Sequence, residues 1–195
     1  MTTNDEQLVT EVKSGNKDAF EKIVERYYKN VLNFIFHFLG DKQLAQDLSQ
    51  ECFLKLFQSI GSFRGESELK TFIYSIAKNL CFEYRRKAKG QPNLVELFEF
   101  NSDPNKVKDS RREVMVDLAS NPLDNIIKKE TLSLIFEAIS SLPLEQKLVF
   151  ILSEQQNLSY ADIAKILKCP VGTVASRKWQ AVKSLKEKLK RVLMD

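Results

Sequence analysis

Between Lys70 and Arg86, cations, amides and two aromatic rings fall on one side of a helical repeat: Lys70, Thr71, Tyr74, Ser75, Lys78, Asn79, Phe82, Arg85 and Arg86. That mixture suits a single nucleic-acid strand, because ammonium and guanidinium groups meet phosphates while rings stack on unpaired bases. A merely solvated face has no use for Tyr74 and Phe82. The alternative is that both rings fold back onto a neighbouring helix. The other side carries Leu69, Phe72, Ile73, Ile76, Ala77, Leu80, Cys81 and Tyr84 at spacings of three and four. Such spacing predicts a helix over 67–89 with this side inward.

Three further clusters carry binding chemistry. In 41–60, DKQLAQDLSQECFLKLFQSI, Asp41 can cap a helix whose Leu44, Ala45, Leu48, Cys52 and Leu56 face one way. Asp47, Gln50, Glu51, Leu54 and Phe57 face the other. Two large apolar groups within a charged rim form a docking face for another protein, unless a helix of the same domain covers them. Gly61 and Gly65 then frame a loop in which Phe63 and Arg64 can wedge or stack. Near the C-terminus, Ser159 can cap a short helix presenting Ile163, Ala164 and Leu167. Lys168-Cys169-Pro170 turns the chain, and a basic helix starts at Val171 or Gly172 with Val174, Trp179 or Val182, and Leu185 inward. This is the pattern of a helix-turn-helix; an αα-hairpin with ordinary core packing is the alternative. Its outward residues are Thr173, Ala175, Ser176, Arg177, Lys178, Trp179 and Gln180. Arg and Gln can read base edges, whereas Ser, Thr and Lys mostly hold phosphates.

These clusters need a helical frame. The chain has 195 residues and a formal charge of +4, with 43% hydrophobic residues. From Lys168 onward eight cations stand against two acids, so the basic excess lies at one end and points to a polyanionic partner. A short helix is expected over 5–13, and a longer one from about Asp18 with Phe20, Ile23, Val24, Tyr27, Val31, Ile35 and Phe38 on one face; Gly40 stops it. Helical periodicity dissolves from Lys87 to Asn121, apart from an apolar LVELFEF stretch and a possible helix over 107–118. A linker of this length, about 35 residues, exceeds normal connections within a domain. Periodicity returns with Ile126, Ile127, Leu132, Leu134, Ile135 and Ile139, and a helix from Leu144 to about Glu154 follows Pro143. The expected fold is therefore all-α: two small helical domains joined by a flexible linker, the second a helix-turn-helix.

Enzymatic chemistry has little support. His37 is the only histidine and has no partner at ligand spacing, so it reads as a packed or surface side chain. There is no glycine-rich phosphate loop, and the expectation is no catalytic residue, no metal and no cofactor. Cys52, Cys81 and Cys169 lie far apart and read as reduced, small apolar residues. The polar, acidic N-terminus does not read as a signal peptide, and the longest apolar run, Val31 to Leu39, is about half a membrane span.

The ordered motifs are Asp18-Ala19-Phe20 with Tyr27 or Tyr28, DLSQECFLKLF at 47–57, Phe63-Arg64 with TFIYSIAKN at 71–79, Leu142-Pro143, LSYADIA at 158–164 and GTVASR at 172–177. In this order the chain resembles the extracytoplasmic-function (group 4) sigma factors of the sigma-70 family, which are bacterial transcription initiation factors. The resemblance implies a cytoplasmic, non-catalytic specificity factor with three parts. Residues 1–88 would bind the clamp of core RNA polymerase through Asp47, Gln50, Glu51, Leu54 and Phe57. They would also recognise and melt the −10 element through Phe63, Arg64, Lys70, Tyr74, Lys78, Asn79, Phe82, Arg85 and Arg86. Residues 89–122 would be the linker, leaving the two domains uncoupled in the free protein. Residues 123–195 would read duplex −35 DNA through Thr173, Ala175, Ser176, Arg177, Lys178, Trp179 and Gln180. The family is commonly held inactive by an anti-sigma protein covering these faces. Phe72 stands where the family often has Trp, and Ala175 and Gln180 stand where it often has basic residues, so the −35 preference does not transfer. The competing reading is a stand-alone helix-turn-helix regulator with an N-terminal partner-binding domain.

Overall fold

The computed structural model describes residues 4–88 and 134–194, with side chains as far as residue 190. The linker over 89–122, its apolar stretch at 94–100, the helix expected over 107–118, and Ile126, Ile127 and Leu132 lie outside the described residues.

The first unit is built from α1 (Asp5–Lys13), α2 (Lys17–Leu39), α3 (Lys42–Ser59), a 3₁₀ turn (Ile60–Ser62) and α4 (Leu69–Ala88). Its boundaries follow from local chemistry. The Asn16 side chain accepts hydrogen bonds from the Asp18 and Ala19 amides at 3.0 and 3.4 Å, capping α2. Gly40, at φ 80°, takes the left-handed turn that ends it, with its amide 2.7 Å from the Phe36 carbonyl. Asp41 caps α3 through the Leu44 amide at 2.9 Å, as its sequence position predicts. Asp5 accepts from both Arg26 and the Tyr27 hydroxyl, which fastens α1 to α2. Ile23, Phe34, Ile35 and Phe38 of α2 meet Cys52 and Leu56 of α3 and Ile73 and Ala77 of α4 in a core from which solvent is almost fully excluded.

The second unit has a helix over 134–140 (α5), then α6 (Leu144–Phe150), a π-helical turn (Ile151–Gln155), α7 (Tyr160–Leu167) and α8 (Val171–Met194). The single helix expected from Leu144 to Glu154 thus changes register after Phe150. Ser159 caps α7 through the Asp162 amide at 3.1 Å. Lys168 takes a left-handed conformation at φ 53°, which ends α7 and lets α8 start after Pro170. The two helices and their turn form the expected helix-turn-helix.

The units touch, contrary to the expectation that they are uncoupled. α4 lies against α7, and the π turn lies against α2. Phe136 of α5 packs on Phe36 and His37 of α2, with ring centroids 5.4 and 5.2 Å apart.

His37 is therefore a packed side chain. Its Nδ1 is buried with no hydrogen-bond partner among the described residues, and burial lowers its pKa from 6.5 to about 4. The folded state keeps the ring neutral while the unfolded chain takes up a proton below about pH 6.5. The stabilising contribution is thus complete above that pH and is lost as pH falls toward 4. The loss amounts to about 2–3 kcal/mol. Urea unfolding at pH 7 and pH 4.5 will show this drop in the wild type and a drop smaller by that amount in His37→Phe. Equal drops in the two proteins would refute the assignment.

Candidate protein and nucleic-acid interfaces

Helix α4 is buried along two stripes, because it lies between α2 and α3 and also meets α7. A projection with one inward side misplaces several residues. Tyr74 is fully buried: its ring lies edge-on to Phe34 at 5.4 Å and its hydroxyl donates to the Gln156 side chain. The Phe82 ring stacks on Phe38 at 5.9 Å. Arg85 is buried too, with its guanidinium 5.6 Å from the Phe38 centroid, and burial lowers its pKa. Tyr84, expected inward, is exposed. Both rings therefore fold back onto α2, which corrects the expectation that they stand on the solvent face.

Asn79 and Arg86 remain exposed, and Lys70 and Lys78 are half-buried. The Lys70 amine donates to the Gln156 backbone carbonyl. Lys78, Asn79, Phe82 and Arg86 form one wall of a cleft of about 530 Å³, and Leu148, Leu167, Lys168 and Arg177 contribute to the other. Burial, and secondarily the nearby Lys168 charge, lowers the Lys78 pKa.

In the preceding loop, Phe63 is half-buried against Phe72, with centroids 5.0 Å apart, while Arg64 is exposed. Lys13 donates to the Phe63 carbonyl at 2.6 Å. Gly65, at φ 74°, supplies a left-handed conformation that a side chain would strain. The loop is thus held at both ends, with Arg64 at its tip.

On α3, Asp47 and Gln50 are exposed and Glu51 is half-buried in an ion pair with Lys55 at 3.1 Å. Leu54 is 57% and Phe57 47% exposed. No described helix covers them, although Phe20 of α2 supports the Phe57 ring edge-on at 4.9 Å. The structure brings all five sequence-selected residues onto one open face.

The basic helix α8 buries Val174, Lys178, Ala181 and Leu185. Lys178, expected outward, points inward: its amine donates to Ser153 Oγ at 2.7 Å, pairs with Glu154 and sits 5.4 Å from the Phe150 ring centroid. Trp179, one of the two residues considered for the inward slot, is 65% exposed, and Val182 is half-buried. The signal was present, since 174, 178, 181 and 185 form one helical stripe, but a lysine in it was read as polar surface. Ala175, Ser176 and Gln180 are exposed and Thr173 is half-buried. Arg177 is paired with Glu145, and Gln180 accepts from Gln146 at 3.3 Å. Gln156, which reaches across to α4, was missed altogether; no local pattern marks it.

The family model for Sigma-70 region 2 matches residues 23–91, and that for Sigma-70, region 4 matches residues 132–192. The chain is 33% identical to the RNA polymerase sigma-H factor of Pseudomonas aeruginosa over 195 residues, covering 98% of this chain and 96% of the relative. It is 31% identical to the ECF RNA polymerase sigma-E factor of Escherichia coli K12, covering 97% and 96%. In fold it is similar to the sigma factor RpoE solved with the anti-sigma factor NepR from Bartonella quintana, with a TM-score of 0.65, 23% identity, and coverage of 90% of this chain and 98% of that one. Motif order, two helical units and relatives matched over nearly their whole length agree: the chain belongs to the extracytoplasmic-function group of the sigma-70 family of RNA polymerase sigma factors.

Proposed function

We propose that this protein directs bacterial core RNA polymerase to specific promoters and helps to melt the −10 element, itself catalysing no reaction. The observation that carries this reading is the open α3 face, where Leu54 and Phe57 stand exposed inside a rim of Asp47, Gln50 and Glu51. A regulator with an N-terminal partner-binding domain could also carry a docking face; the Sigma-70 region 2 and region 4 matches, in that order along the chain, favour core polymerase as its partner. In this reading residues 1–88 bind core and the −10 strand, 89–122 link, and 123–195 read the −35 duplex. Phe63, Arg64, Lys70, Lys78, Asn79 and Arg86 offer side chains to the melted strand. Tyr74, Phe82 and Arg85 support that face from within. Thr173, Ala175, Ser176, Arg177, Trp179 and Gln180 face the duplex. An anti-sigma protein, like the one bound to the RpoE relative in fold, is a natural further partner. Among the described residues no helix is long and apolar enough to cross a membrane, in keeping with a cytoplasmic site of action.

Run-off transcription on genomic fragments, with core polymerase and with or without this protein, tests the reading. New start sites sharing two upstream motifs are expected. No new transcripts, together with tight duplex binding by the protein alone, would favour the stand-alone regulator.

Lys178 is assigned a structural role rather than a phosphate contact. Lys178→Met should cost about 1 kcal/mol of stability, since Glu154 becomes unpaired while staying largely solvated. It should leave the salt dependence of −35 duplex binding unchanged. A log–log slope shallower by about 1 would instead place the amine on a phosphate.

A further inference from the structure

Among the α8 residues that face the duplex in the sigma reading, Arg177 is the only cation, because Lys178 is turned inward. Ala175 has no polar side-chain group and Trp179 has a single donor. Arg177 and Gln180 are the side chains long enough, and with polar atoms enough, to grip a base edge at two points. They stand three residues apart, so both lie on one face of the helix.

Both are held from another helix. α6 lies along α8, and two residues of its first turn meet the two readers. Glu145 is ion-paired with Nη2 of Arg177, while Nη1 of the same guanidinium lies 3.8 Å from Sγ of Cys169 in the turn between α7 and α8. The Arg177 side chain is only 22% exposed. Gln146 donates to the Gln180 carbonyl at 3.3 Å. Glu145, Gln146, Arg177 and Gln180 line one cleft of about 420 Å³ together with Thr173 and Ser176.

Such props change what a reader can do. An arginine has five N–H groups. Glu145 and Cys169 engage one on each terminal nitrogen, which leaves three, and a guanine edge needs two. The guanidinium is aimed without being used up, and it loses little side-chain freedom on docking. The carboxylate also offsets its charge, so the pair attracts phosphate weakly and Arg177 acts through hydrogen-bond geometry. At Gln180 the carbonyl is engaged by Gln146, and the amino group is left to meet a purine N7.

We propose that Glu145 and Gln146 are positioning residues for −35 recognition: the first turn of α6 sets which base pairs α8 prefers, Glu145 through Arg177 and Gln146 through Gln180. This rests on the reading of α8 as the −35 helix.

The test uses holoenzyme reconstituted from core polymerase and the full chain. It is offered promoter fragments whose upstream motif, obtained from run-off transcription with the wild type, has been randomised. Sequencing the bound fraction reads the preference at each base pair. That preference compares duplexes bound by one folded protein, so a loss of stability alone does not move it. Arg177→Ala should flatten the preference at one base pair by about tenfold, and Glu145→Ala should flatten the same base pair by a similar factor. The double variant should match Arg177→Ala alone. Gln146→Ala should relax, by about threefold, only the base pair that Gln180→Ala relaxes. If Glu145→Ala weakens binding to every fragment equally, its role is structural and the proposal is overturned. Losses at different base pairs, additive losses in the double variant, or an unchanged profile in Arg177→Ala would overturn it as well, with transcription by the wild type intact. Failure of the sigma reading looks different: the wild-type holoenzyme then gives no new start sites, and the proposal falls with that reading.

Discussion

Alanine at both Leu54 and Phe57 will weaken binding to core RNA polymerase by at least a hundredfold while leaving the helical fold intact. The expectation follows from how the two side chains are held. Phe57 keeps about half its surface in water, yet Phe20 fixes its ring from behind, so little freedom remains to be lost on docking. Leu54 lies one turn away and is more exposed still. Apolar anchors at the centre of a charged rim carry most of the energy of such interfaces; two together contribute about 3 kcal/mol, or roughly two decades in affinity. The cost to folding is smaller, about 1 kcal/mol for the Phe20–Phe57 contact, because neither side chain is in the core. Competition binding against a labelled wild-type protein, with thermal melting as the control for folding, measures both quantities. A double variant that binds core within threefold of wild type would remove α3 as the docking surface.

The α3 face was legible because its signal is a contradiction within one helix: large apolar residues stand opposite a complete apolar stripe. Position in the period alone places Leu54 and Phe57 outside, and the structure leaves them there. α4 was read less well for the converse reason. A helix packed on several sides has no single solvent face, so Tyr74 and Arg85 look like surface residues in projection and are buried against Phe34 and Phe38. Lys178 shows a related failure, since its amine is acceptable inside only because Ser153 and Glu154, some 25 residues away, meet it. The caps at Asp41 and Ser159 were found because they depend on neighbours three residues on. Gln156 was not, because its partners Lys70 and Tyr74 lie more than eighty residues away in sequence. Local chemistry thus exposes element boundaries and unpaired faces, while contacts between units become visible only in three dimensions.

The second large effect is expected in promoter opening. Phe63→Ala combined with Asn79→Ala should bind core normally and yet form open complexes about a hundredfold less efficiently. Phe63 is fixed by its surroundings: Lys13 of α1 holds its carbonyl, Phe72 of α4 supports its ring, and Gly65 turns the backbone beyond the exposed Arg64. A half-buried ring on a fixed loop can receive an unstacked base without reorganising. Asn79 is exposed on α4, beside Lys78 and within the same cleft, and an amide there can pair with the edge of a base. Unstacking costs a few kcal/mol, and each base–aromatic stack returns about 1–3 kcal/mol. Loss of that stack together with the amide contact removes most of the compensation, hence the factor of about a hundred. Neither residue belongs to the α3 face, so affinity for core should not change. Permanganate footprinting of thymines in the −10 region reads opening, and competition binding reads core affinity. Normal reactivity in the double variant would show that melting does not use this loop and face; weakened core binding would show that the two surfaces are not separable.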